Sequence, residues 1–186
     1  MKNTTNDMPV YGPVTAGETM DAIGQRIQDY RESQGDRTAL IDEQGVVTWA
    51  NLISQVNRIA NRLRQAGLET GDCVAGLSEN TREYVALYLG TLVAGGCMVP
   101  LSGMASGEAL TLMIRDCGAR FLFVSGKNRE LWSGIRESVD LPAESVIGLD
   151  TGAVGQTLEQ WLGDMSDQAG PAPVTLDDPF NIIYSS

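Results

Sequence analysis

An apolar run, Asn181-Ile-Ile-Tyr184, leads straight into Ser185-Ser186. Small hydroxyl residues just past the carboxyl end of a buried strand are a common seat for nucleotide phosphates in α/β proteins. Taken alone the signal is weak, and two such serines more often bind nothing. Carboxylates are the second candidate chemistry: Asp36, Asp42, Glu43, Glu69, Asp72, Glu79, Glu83 and the pair Asp177-Asp178. A carboxylate pair could move protons or hold Mg2+. Their places, mostly turns and helix starts, are where solvated carboxylates ordinarily sit. Trp49, Trp132 and Trp161 each fall at or inside a helical stretch and read as core or rim residues. No Gly-x-Gly-x-x-Gly follows a strand, and Gly90 to Gly96 lacks the Gly-Lys-Ser/Thr of a phosphate loop. These glycines read as helix caps and close helix–strand contacts.

Composition removes several chemistries. The chain has no histidine, so Ser-His-Asp catalysis, His-ligated zinc and His general bases are excluded within it. Cys73, Cys97 and Cys117 are odd in number, far apart in sequence and set among apolar residues. They read as buried thiols of a reducing compartment, not as a disulfide framework or a metal knuckle. A net charge of −11 disfavours nucleic-acid binding, whose mark is a basic face. The most apolar stretch, 84–101, is broken by glycines and a proline, so no transmembrane segment is expected. The N-terminus lacks an apolar targeting core, and a cytoplasmic location is expected.

The elements that must position these groups follow from hydrophobic period. Thr15-Ala-Gly-Glu18 fits a capping box before a helix that Gly35 closes. Strands at 38–41 and 46–48 flank a glycine-bearing turn and predict a hairpin. Leu52, Val56, Ile59, Ala60 and Leu63 form one helical stripe, and Gly67 stops it. Buried strands are predicted at Cys73–Leu77, Cys97–Pro100, Arg120–Val124 and Ser145–Leu149. Helices are predicted from a capping box at Asn80–Glu83, from Ser106 to Cys117, from Asn128 to Val139, and after Thr157. Phe180–Tyr184 starts a further strand. Strands alternating with helices mean an α/β fold with a mostly parallel sheet flanked by helices.

The order of several segments resembles the amino-terminal part of the adenylate-forming acyl-CoA synthetases, the AMP-binding superfamily that includes peptide-synthetase adenylation domains. Asp36-Arg-Thr-Ala-Leu-Ile41 and Val47-Thr-Trp-Ala-Asn-Leu52 resemble its opening hairpin and helix start. Val56 to Leu63 and Gly67 to Asp72 resemble the next helix and turn. Ala94-Gly-Gly-Cys-Met-Val-Pro-Leu101 resembles its "L-x-A-G-x-x-x-V-P-L" motif, and Asp116-Cys-Gly-Ala-Arg120 its "D-S-G-A-x" helix end. Asp178 to Ser186 resembles the lead-in to the phosphate loop, "Y-S-S-G-T-T-G-x-P-K-G".

The resemblance implies the first part of the large N-terminal domain of an acyl-CoA-synthetase-like fold. It divides the chain into a leader (1–14), an α/β subdomain (15–164), a linker (165–178) and the start of the strand that enters the phosphate loop (179–186). It implies Ser185 and Ser186 as the opening of the ATP phosphate loop, and Gly103 on the CoA side. The basic residues that some members use for the CoA phosphates have no counterpart here. ATP, Mg2+ and CoA are the implied cofactors of the complete enzyme, none of them expected to be held tightly by this part of it, and the implied substrate is a small-molecule carboxylic acid, fatty or another acyl acid; a peptide-synthetase-type module or a non-catalytic binding domain are the alternatives. The later glycines, threonines and lysine of the loop are not in these 186 residues. The chain is therefore expected to be inactive alone and to self-associate through apolar surface around Phe180–Tyr184.

Overall fold

The computed structural model describes residues 21–152, 154–171 and 178–185. The expected leader, the capping box at Thr15–Glu18, residues 172–177 of the expected linker, and Ser186 lie outside the described residues.

Helix α1 (Asp21–Gln34) leads into an antiparallel hairpin of β1 (Thr38–Asp42) and β2 (Gly45–Thr48). The hairpin turns because Gln44 N donates to Asp42 Oδ1 at 2.8 Å and Gly45 takes φ 116°, a value glycine adopts without a side-chain clash. Thr48 caps α2 (Trp49–Gln65), its Oγ1 accepting from Asn51 N at 3.3 Å. The stripe read from the sequence is the buried face of α2: Leu52, Val56, Ile59, Ala60 and Leu63.

Six further elements then alternate: β3 (Cys73–Leu77), α3 (Arg82–Ala94), β4 (Cys97–Leu101), α4 (Gly107–Asp116), β5 (Phe121–Val124) and α5 (Arg129–Ile135). β6 (Val146–Gly148), β7 (Gln156–Thr157) and α6 (Leu158–Leu162) follow. The sheet order is β4-β3-β5-β6-β7 and every pairing in it is parallel. Alternation along each strand feeds two cores. Val74, Met98, Phe121, Phe123 and Ile147 face α2, α3 and α6, with Trp161 edge-on to Phe123 at 5.4 Å between ring centroids. Ala75, Leu77, Val99, Leu101, Leu122 and Val124 face α4 and α5, against Leu110, Ile114, Trp132 and Ile135. The fold is the expected α/β sandwich of helices on a parallel sheet. No helix among the described residues is long and apolar enough to cross a membrane.

Four local details depart from the sequence reading. The cap of α3 is Thr81, whose Oγ1 accepts from Tyr84 N at 3.2 Å, one residue later than Asn80. The predicted helix 128–139 is α5 between two 3-10 turns at Gly126–Asn128 and Arg136–Ser138. Inside α5, Ser133 Oγ donates back to Arg129 O at 2.8 Å and Gly134 follows it, and both weaken a helix. The predicted strand 180–184 is one parallel bridge, Asn181 to Met98. Residues 166–168 lie along α2: Asn61 Nδ2 donates to Ser166 O and Gln168 O, each at 2.9 Å. Asp167 Oδ2 accepts from Arg31 at 2.8 Å and from Ser54 at 3.0 Å.

Candidate functional site

In an open parallel sheet, ligands bind beyond the carboxyl ends of the strands, where successive strands turn to opposite sides. Here β4 lies on one side of β3 and β5 on the other, so that place is the gap between β3 and β5. The loops leaving these strands meet in a polar node. Ser125 Oγ donates to Glu79 Oε2 at 3.0 Å, and Asn128 Nδ2 lies 3.1 Å from Glu79 Oε1 and 2.9 Å from Ser125 Oγ. Ser125 N also donates to Leu77 O at 3.0 Å. Ser125 and Asn128 are buried, while Lys127 Nζ approaches Glu79 from solvent at 3.6 Å.

Gly103, on the loop leaving β4, completes this node by its lack of a side chain. A Cβ there would sit 2.4 Å from Asn128 Oδ1. That close approach is a reason for glycine at 103 independent of any CoA contact. The neighbouring Ser102 Oγ accepts from Met104 N at 3.2 Å. Sequence reading missed Asn128 and Ser125, and placed Glu79 only among turn carboxylates. The available signal was Ser125 itself, a small polar residue directly after the buried strand Phe121–Val124.

Burial alone would raise the Glu79 pKa. Hydrogen bonds from its own backbone, Ser125 and Asn128, together with the Lys127 charge, outweigh burial and hold the carboxyl below the ordinary value of 4.5. A carboxyl depressed in the folded state stabilises the fold above its unfolded pKa, and that stability is lost as pH falls through the folded pKa. Glu79→Gln should therefore melt below the wild type at neutral pH, with the gap closing as pH drops below 4.5. The gap should be only about 1–4 °C, because the side chain is 38% exposed and solvent screens its pairing. Melting curves of both proteins across the acid range measure it, and a gap independent of pH would show that the charge contributes nothing.

The segment carrying Ser185 is fastened at three points. Met98 N donates to Phe180 O and Ile182 N to Met98 O, each at 3.0 Å. Asn181 Nδ2 donates to Tyr88 Oη at 3.1 Å. Tyr184 Oη donates to Asp116 Oδ2 at 2.7 Å and lies 3.2 Å from Met113 O. The last contact anchors the segment to the end of α4, and among the described residues its pairing with β4 is the single bridge centred on Asn181. Ser185 itself is exposed, and no hydrogen bond among the described residues joins it to Ser102 or Gly103. One exposed hydroxyl does not hold a nucleoside triphosphate with its metal, which needs several donors and a cation at one place.

The profile of the AMP-binding enzyme family matches residues 27–186. This chain belongs to that family. It is 28% identical over 168 residues to the fatty acid–[acyl-carrier-protein] ligase ScoC of Streptomyces coeruleorubidus, covering 90% of this chain and 31% of the relative. It is 26% identical over 151 residues to the 3-hydroxybenzoate–CoA ligase of Aromatoleum sp. (strain CIB), covering 81% of this chain and 29% of the relative. The crystal structure of the anthranilate CoA ligase AuaEII in complex with anthranoyl-AMP superposes with a TM-score of 0.79 at 22% identity, over 88% of this chain and 31% of that one. The chain thus has the fold of the amino-terminal region of adenylate-forming ligases, and spans less than a third of the length of these relatives.

Proposed function

We propose that the chain is the amino-terminal scaffold of an ATP-dependent acid–thiol ligase. In the complete enzyme a carboxylate attacks the α-phosphate of Mg·ATP, giving acyl-AMP and pyrophosphate, and the CoA thiol then displaces AMP. The observation that carries this reading is the family match along residues 27–186. In this reading, residues 15–164 are the α/β subdomain, 165–178 the linker, and 179–186 the entry to the phosphate loop. Ser185 and Ser186 open that loop, and Gly103 lies toward the CoA side. A carrier-protein thiol is the second reading for the acceptor, favoured by the similarity to an acyl-carrier-protein ligase. Phe180 and Ile183, 51% and 72% exposed, supply apolar surface for the expected self-association.

Catalysis of adenylate formation is mainly positioning and neutralisation of phosphate charge. The 186-residue polypeptide lacks the lysine and glycines for this, so it should not form acyl-AMP by itself. ATP–pyrophosphate exchange with acetate, hexanoate, palmitate and benzoate should stay at background. Exchange above background from the pure polypeptide would overturn the scaffold reading. The coding sequence downstream of Ser186 tests the family role separately: a Gly-Thr-Thr-Gly continuation supports it, and a different continuation argues for a binding domain.

A further inference from the structure

The fold gathers thiols that the sequence scatters. Cys73 and Cys97 are register partners at the amino ends of the parallel neighbours β3 and β4. Strand alternation puts both side chains on the same face: Cys73 with Ala75 and Leu77, Cys97 with Val99 and Leu101. Cα atoms in register on neighbouring strands lie about 4.8 Å apart, inside the window of about 4.4–6.8 Å that a disulfide spans. Each of these two thiols lies within electrostatic reach of the other. Cys117, which caps the end of α4, lies within electrostatic reach of both, but its Sγ donates to Ile114 O at 3.5 Å. All three thiols are free.

We propose that Cys73 and Cys97 are a redox-modification site, a dithiol that a low-molecular-weight disulfide converts into one cross-strand disulfide. Cys73 is partly exposed and Cys97 is fully buried, so the sequence of steps is set by access. The Cys73 thiolate attacks one sulfur of the small disulfide and expels the first thiolate, leaving a mixed disulfide on Cys73. The Cys97 thiolate then attacks the Cys73 sulfur and expels the second. Two electrons pass from the protein to the small disulfide, and the two thiol protons end on the two expelled thiolates. Burial pushes the Cys97 thiol up to about 12 and raises that of Cys73. The reactive thiolate is therefore scarce at neutral pH, and the rate should rise about tenfold per pH unit below the folded pKa values. The product ties β3 to β4 at their amino ends and encloses α3.

The test uses the whole 186-residue chain. Incubate the native protein with glutathione disulfide, block residual thiols, and map the tryptic peptides without reduction. The three cysteines fall in separate peptides, 65–82, 83–115 and 116–120. The expected product joins 65–82 to 83–115, lighter than their sum by two hydrogen atoms, and exceeds either pairing with 116–120 by about tenfold or more, as contact geometry selects it. Urea-unfolded chain, treated alike, should lose this selectivity. Cys117→Ala should keep the cross-link, and Cys97→Ala should stop at glutathione on peptide 65–82. Native protein that stays reduced, stops at mixed disulfides, or pairs through Cys117 would overturn the proposal. So would an equal 73–97 yield from the unfolded chain.

Discussion

Leu63→Asp should abolish folding of this chain. Leu63 is in the last turns of α2, 0% exposed, in the core that α2 shares with α3 and the sheet. Truncating a buried leucine to alanine costs about 2–5 kcal/mol through lost transfer energy and the residual cavity. A domain's whole stability is about 5–15 kcal/mol, so Leu63→Ala should survive with a melting temperature lower by about 4–20 °C. Aspartate removes the same apolar atoms and adds a carboxyl with no donor to meet it. An unpaired buried charge costs several kcal/mol more, and taking up a proton only lessens that cost. The two penalties together reach the stability of the domain. Leu63→Asp should be found insoluble or without a cooperative melt, beside a folded Leu63→Ala. A soluble Leu63→Asp melting with the wild type would mean that the face of α2 has been assigned wrongly.

The α2 stripe was legible in the sequence because five apolar residues repeat at helical spacing, and a helix with one buried face has few alternatives. The short strands were legible for a related reason. Cys73–Leu77 and Phe121–Val124 are apolar without a break because helices cover both faces of the sheet. What escaped was whatever depends on segments far apart in the chain. Glu79, Ser125 and Asn128 look like three ordinary polar loop residues until β3 and β5 become neighbours. Cys73 and Cys97 look unrelated until their strands align in register. Asp167 sits in a stretch rich in Asp, Gly and Pro that reads as a linker, yet it is held by Arg31 and Ser54 across more than a hundred residues. β7, of two residues, is too short to carry a period at all. The bridge at Asn181 shows the opposite failure. Its apolar run predicts a strand, but the Tyr184 hydroxyl bonds to α4 instead of letting the ladder continue. Ser185 is therefore a candidate carried by the family resemblance, and no hydrogen bond to another of the described residues marks it out.

Gly90→Leu should be the second substitution that the fold does not tolerate, and Gly90→Ala shows why. Gly90 lies inside α3, where glycine is a poor helix former, and alanine would ordinarily gain about 1 kcal/mol of helix propensity. Here α3 crosses α2 at close range. A Cβ at position 90 would stand 2.7 Å from Ile59 Cγ2, 2.8 Å from Ile59 Cβ and 3.1 Å from Val56 O. Ile59 is itself fully buried, and two of the three atoms met are a branch-point carbon and backbone, which cannot rotate away. Overpacking of this kind costs about 1–3 kcal/mol for a small increment. The propensity gain and the overpacking therefore oppose each other, and the second is the larger. Gly90→Ala should fold, with a melting temperature lower by up to about 8 °C. Leucine adds three more carbons in the same direction and requires α2 and α3 to separate. That separation would open the core holding Leu63, Val56 and Phe123. Thermal melts of the two variants decide the matter. A Gly90→Ala protein more stable than the wild type would show that propensity governs this position and that the helices are not in close contact there.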